Sequence, residues 1–279
     1  MYVAHIMADV SNKTRPDQLA PWIRPEDQIP LLLAVSLYGT PRKELGDFRI
    51  LERNGSRIAA WMNREGVMVI GCRGTTPFSA NGLQDLMDDI NISGSDYCNL
   101  SLVKLAEDLI TKYSDKAKTI IFVGHSLGGT SALCLTSKYA NFSLPVRGIG
   151  FNAGAAPTNP ILSGPGPQKF RQYHIVGDLI SSHMGPEAAE VIRIKKSKAA
   201  FGGVYAHSTP RMLASDGDWA YSTPDEEDAL YYNWGKTYKP GWDVLIPGAS
   251  LGKFLRVIIS SNIVEKNPIP GSTRFNNNK

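Results

Sequence analysis

Thr119-Ile120-Ile121-Phe122-Val123-Gly124-His125-Ser126-Leu127-Gly128-Gly129 decides how this chain is read. A β-branched and aromatic run leads into Gly-x-Ser-x-Gly, and a segment able to start a helix follows. A serine at the tip of a sharp strand-to-helix turn sits in a strained backbone conformation and is held out as a nucleophile. Bulky side chains two residues before or after it would strike the adjoining strand and helix, and Gly124 and Gly128 remove those Cβ atoms. The same turn aims the Leu127 backbone N–H at the space above Ser126, where an oxyanion would form.

Outward from this turn, strands and helices alternate. Arg57–Met62 and Val67–Cys72 read as consecutive strands joined by a hairpin-type turn at Asn63-Arg64-Glu65-Gly66. Val146–Phe151, Phe170–Val176 and Ala189–Lys195 read as further strands. Leu100–Tyr113 carries Val103, Ala106, Ile110 and Tyr113 at helical spacing, and Ile29–Tyr38 is apolar with helix-compatible spacing. A short helix is expected at Gly82–Ile90, and the apolar segment Leu251–Ile263 reads as a core helix before an interfacial one. The rhythm predicts an α/β fold with a mainly parallel central sheet flanked by helices. Catalytic groups should gather beyond the carboxyl ends of its strands.

With 279 residues, 42% of them hydrophobic, the chain can bury a sizeable core. The net charge of +4 is mild, and Arg193-Ile194-Lys195-Lys196-Ser197-Lys198 reads as a strand end with a solvated tip, so no nucleic-acid partner is expected. Cys72, Cys98 and Cys134 are odd in number and lack close pairs, which argues against a disulfide framework or a cysteine zinc site. Cys72 and Cys134 read as small core residues. The first residues show no basic stretch followed by an apolar one, so no signal peptide is evident, and no stretch approaches a membrane span. A reducing, intracellular compartment is the simplest expectation, with a mature secreted form also open.

A serine hydroxyl needs a base to take its proton, and the base needs a carboxylate to hold its tautomer. Asp178 is the preferred acid: it follows the strand-like Gln172–Val176 and one glycine, 52 residues beyond the serine (178 − 126). Asp216, Asp218, Asp225 and Asp228 compete from a polar, turn-rich stretch. For the base, His5 lies in an N-terminal arm, His125 in the elbow with its side chain expected to point away from the nucleophile, and His174 inside a strand. His183 remains an alternative to His207, which follows the flexible Gly202-Gly203-Val204-Tyr205-Ala206 and completes a Ser, Asp, His order. A second oxyanion donor is expected from Cys72-Arg73-Gly74-Thr75-Thr76, where Thr75 offers an N–H and a hydroxyl.

The pair Cys72-Arg73-Gly74-Thr75-Thr76 and Val123-Gly124-His125-Ser126-Leu127-Gly128-Gly129 resembles the class 3 (fungal-type) triacylglycerol lipases, over about residues 55–212. Leu83–Ile90 looks like the short Asp-rich segment that follows the lid in that family. Gly177-Asp178-Leu179-Ile180 resembles its acid loop and His207-Ser208 its catalytic-histidine loop, while His183 would match a non-catalytic histidine. The Asp-to-His gap is short (207 − 178 = 29), and Leu86 stands where the family usually has tryptophan. The resemblance implies an α/β-hydrolase fold, a Ser126–Asp178–His207 triad, an oxyanion hole at Thr75 and Leu127, and a lid at Thr76–Gly82 with Phe78 as its apolar contact.

These readings divide the chain into an N-terminal arm and helix packing on the core (1–54), a hydrolase core (55–212) and a C-terminal extension packing on the same domain (213–279). Tyr221–Trp242, rich in aromatics, reads as a packing layer. The expected function is hydrolysis of lipid carboxylic esters through an acyl-enzyme, with no cofactor or metal and transient contact with a lipid interface. The alternatives are a lipase-fold binding or assembly protein with little turnover, and a thioesterase or acyltransferase using the same site.

Overall fold

A computed structural model describes residues 16, 19, 22–55, 57–74, 98, 101–153, 165, 167–176, 178, 190–196, 207 and 219–222. Among the described residues one sheet holds nine strands, whose order in space follows their order in sequence. They are β1 (Glu44–Leu45), β2 (Phe48–Asn54), β3 (Ile58–Met62), β4 (Val67–Cys72), β5 (Thr119–His125), β6 (Val146–Phe151), β7 (Phe170–Ile175), β8 (Glu190–Lys196) and β9 (Trp219–Tyr221). β1 to β4 pair antiparallel, β4 to β8 parallel, and β9 antiparallel on β8. The parallel centre, entered from an antiparallel meander and carrying a strand–elbow–helix at β5, is an α/β-hydrolase fold.

Three helices flank it among the described residues: α1 (Pro25–Ser36), α2 (Ser101–Tyr113) and α3 (Leu127–Lys138). Alternation along the strands divides the core in two. Val69, Ile121, Val123, Ile149 and Tyr173 pack with Leu31, Leu33 and Val35 of α1. Met68, Ile70, Ile120 and Phe122 pack with Val103, Ala106 and Ile110 of α2 and with Leu133 of α3. Successive strand residues point to opposite faces, so the apolar runs of β4 and β5 fill both layers, as parallel strands covered on both sides must. α1 begins with proline in its first turn, where the missing N–H costs no intrahelical bond. α2 is amphipathic, with Leu102, Val103, Ala106, Leu109 and Ile110 buried on one stripe.

Near the amino ends of β6 and β7 a buried acid ties α1 to the sheet. Asp27 accepts from Arg147 Nη1 at 2.6 Å, Arg171 Nη1 at 2.5 Å and Tyr173 Oη at 2.8 Å. Arg171 Nε also donates to Glu190 at 2.8 Å, and Glu190 pairs with Arg24. Burial alone would weaken the Arg171 cation, but its hydrogen bonds to Asp27 and Glu190 outweigh that and raise its pKa.

Several expectations change. The sheet extends beyond both ends of residues 55–212: β1 and β2 precede it and β9 follows it. β2 carries no clean alternation because it is a half-exposed strand near the sheet edge, Phe-Arg-Ile-Leu-Glu-Arg-Asn. At the end of the N-terminal arm, Leu19, Trp22 and Ile23 are buried in the core. Cys98 and Cys134 form a disulfide, contrary to the reading against one; Cys72 is the buried free thiol. Cys134 is buried in α3, and packing of α2 beside α3 brings Cys98 to it across 36 residues of sequence. The expected helix at 82–90, the lid at 76–82, the segment 251–263 and nearly all of 213–279 lie outside the described residues.

Candidate active site

Ser126 occupies the turn between β5 and α3, at φ 57° and ψ −130°. A non-glycine residue in that region is strained and persists only where its surroundings over-determine it. Those surroundings are visible. The Ser126 N–H donates to Phe151 O at 3.0 Å, and Thr130 N–H donates to Ser126 O at 3.1 Å. A Cβ on Gly124 would lie 2.2 Å from the Gly128 carbonyl, and one on Gly128 would lie 2.1 Å from Cys72 O. The glycines are therefore needed for close approach, as the sequence implies.

The strand ends beside the elbow set the acid. Asn152, at φ 46°, donates its N–H to Tyr173 O at 2.8 Å and accepts from Ile175 N–H at 2.9 Å. This stitches the end of β6 to that of β7. Asp178 follows, its N–H bonded to Ile175 O at 3.0 Å, and its side chain is fully buried.

His207 lies in a turn between these two groups. Its Nδ1 is 2.8 Å from Asp178 Oδ2, and its Nε2 is 2.7 Å from Ser126 Oγ. Ser126, Asp178 and His207 are 2%, 0% and 1% exposed, so water does not compete for these bonds. An ionised carboxylate can only accept, which puts the proton on Nδ1 and leaves the Nε2 lone pair for the Ser126 hydroxyl. The arrangement has the bond pattern needed to take a proton from Ser126.

Leu127 is the first residue of α3, and the first N–H groups of a helix have no intrahelical acceptor. Thr75 lies outside the described residues, as do His5, His183 and the alternative acids Asp216, Asp218, Asp225 and Asp228. His174 is buried within β7. Gly74 is described and packs tightly: a Cβ there would meet His125 O at 2.5 Å and Ser126 Cβ at 2.9 Å.

Two residues beside the site were not anticipated. The His125 ring lies 4.9 Å from the His207 ring, centroid to centroid, and its Nε2 is 2.7 Å from His207 O. Its Nδ1 is 2.7 Å from Tyr38 Oη. Burial, reinforced by His207, pushes the pKa of His125 down to about 3. Burial raises that of Tyr38, against opposing influences from Arg73 and from a hydrogen bond with the Gly74 backbone. The elbow directs the His125 ring to the backbone of His207, which no local pattern announces.

No family model matches the chain, and no curated protein matches it by sequence. Solved structures similar to it include a triacylglycerol lipase from Penicillium expansum, at 14% identity over 76% of this chain and 87% of that one, with a TM-score of 0.43. Another is the triacylglyceride lipase of Rhizomucor miehei, at 17% identity over 61% and 83%, with a TM-score of 0.38. A third is Lip2 lipase from Yarrowia lipolytica, at 14% identity over 53% and 65%, with a TM-score of 0.34. Similarity this loose carries no functional argument, and the fold assignment rests on the chain's own topology.

Proposed function

We propose that this protein is a lipase-like serine hydrolase of carboxylic esters. The observation that carries the reading is the unbroken buried chain Asp178–His207–Ser126, with contacts of 2.8 and 2.7 Å. Ser126 Oγ attacks the acyl carbonyl while His207 Nε2 takes its proton. Asp178 orients the imidazole and stabilises the imidazolium. The Leu127 and Thr75 N–H groups hold the oxyanion, aided by the amino end of α3. His207 then returns the proton to the leaving alcohol. Water, activated by the same imidazole, cleaves the acyl-enzyme and frees the acid. The step needs no metal or organic cofactor.

A serine 2% exposed must be uncovered before an ester reaches it, which fits a substrate presented at a lipid interface. The Cys98–Cys134 bond fits an oxidising compartment in preference to the reducing one first expected. Among the described residues no helix is long and apolar enough to cross a membrane.

The test is intact-mass analysis after exposure to a fluorophosphonate, with and without detergent micelles, for the wild type and Ser126→Ala. One adduct per chain in the wild type and none in the variant is expected. A folded wild type that stays unlabelled under both conditions would sink the reading.

A further inference from the structure

His207 is held by neither helix nor strand, yet its ring must meet two partners at once. The geometry points to Tyr38 and His125 as positioning residues that fix the His207 main chain from behind, through a hydrogen-bonded relay of defined direction. This inference rests on His207 being the general base proposed above.

The direction follows from donor and acceptor chemistry. The His207 carbonyl can only accept, so His125 Nε2, 2.7 Å away, carries the proton. A ring whose pKa is pushed down to about 3 by burial and by His207 is neutral and has one N–H. Its Nδ1 is therefore an acceptor, and Tyr38 Oη, 2.7 Å away, donates to it. Burial raises the Tyr38 pKa, so that hydroxyl keeps its proton. The Tyr38 oxygen also lies against Gly74, 3.0 Å from where a Cβ on that residue would sit. One hydroxyl, just beyond the carboxyl end of α1, thus packs on Gly74 and is joined through His125 to the histidine turn.

The relay is buried throughout: Tyr38 is 5%, His125 2% and His207 1% exposed. Its hydrogen bonds end on the His207 carbonyl and not on the ring. Its effect is to set the height and tilt of the His207 ring, with the tilted contact between the two imidazoles as a second restraint. A neutral His125 also adds no second cation beside His207 when that ring takes up the serine proton.

The experiment uses the full chain, a fluorophosphonate as active-site probe and p-nitrophenyl butyrate as substrate. Tyr38→Phe removes the hydroxyl, His125→Phe removes both ring nitrogens, and His125→Gln returns an amide N–H near the Nε2 position. The labelling rate and kcat are expected to fall about tenfold in Tyr38→Phe and about a hundredfold in His125→Phe, the scale of a slightly misplaced catalytic group. KM should hold, and His125→Gln should recover most of the His125→Phe loss. Because the two residues act in series, Tyr38→Phe combined with His125→Phe should be no slower than His125→Phe alone. In wild-type protein, ¹⁵N NMR should show His125 as the neutral Nε2–H tautomer. Folded Tyr38→Phe protein that labels and turns over at the wild-type rate would overturn the inference, as would a His125 found as the Nδ1–H tautomer. If the wild type itself takes no label, the hydrolase reading fails instead, which is a separate outcome.

Discussion

Two buried polar clusters sit at opposite ends of the parallel strands, and they use burial differently. Near the amino ends, Asp27 is clamped by two guanidinium groups and a phenol. Near the carboxyl ends, Asp178 meets an imidazole, which meets a serine hydroxyl. Both aspartates are 0% exposed. A guanidinium group does not give up its proton in proteins, so that cluster serves to anchor α1. Imidazole as a group can gain and lose a proton, so the same burial around Asp178 suits the proton transfer proposed for His207. Sequence position alone does not separate the two roles; the partner's chemistry does.

The largest effect is expected at the carboxyl end. Asp178→Asn keeps the shape but reverses the hydrogen bond His207 requires, and should lower kcat by about ten-thousand-fold with the melting temperature little changed. Turnover of a chromogenic ester beside a thermal scan checks both halves. At the amino end the effects should invert. Asp27→Ala leaves Arg147 and Arg171 without their shared carboxylate, and removing one partner from a buried pair costs about 3–5 kcal/mol. Arg171 is partly solvated, which favours the lower figure. The melting temperature should drop while the labelling rate of the remaining folded protein holds. A variant that loses activity but not stability would refute the division of roles.

A smaller effect concerns the disulfide. Closing 36 residues between Cys98 and Cys134 is worth about 3–4 kcal/mol by the chain-entropy relation, at the upper end for such bonds. Mild reductant should lower the melting temperature and expose two further thiols to alkylation, seen by intact mass. A separate effect, read only in acid, concerns His125. Its pKa falls from 6.5 to about 3 on folding, so the unfolded chain binds more protons between those values. The stability due to its neutral form is complete above about pH 6.5 and is lost as pH falls towards 3. Equilibrium unfolding across that window should show a slope shallower by about one proton in His125→Gln than in the wild type.

What was legible in the sequence was what local physics specifies. Gly124 and Gly128 announce the elbow because no Cβ fits there. The apolar runs of β4 and β5 announce buried strands because both faces are covered. Asp178 is readable as a residue at a strand end, and His207 by its place in chain order, though only the fold brings the two together. What stayed hidden depends on distant partners. Tyr38 looks like the end of an apolar helix, and its hydroxyl acquires meaning only 87 residues later in His125. Cys98 and Cys134 meet only once α2 lies beside α3. A charged His125 at the observed 4.9 Å from a His207 cation would cost about 3 kcal/mol at an effective dielectric near 20. No residue pattern in the elbow could reveal that its neutrality is enforced from outside.

The most direct measurement is peptide mapping of the fluorophosphonate adduct, with its rate of formation, in the wild type and Asp178→Asn. An adduct is expected on the peptide carrying Ser126, formed at least about a thousandfold more slowly in a variant of unchanged stability. An adduct on another residue, or equal rates in the two proteins, would contradict it.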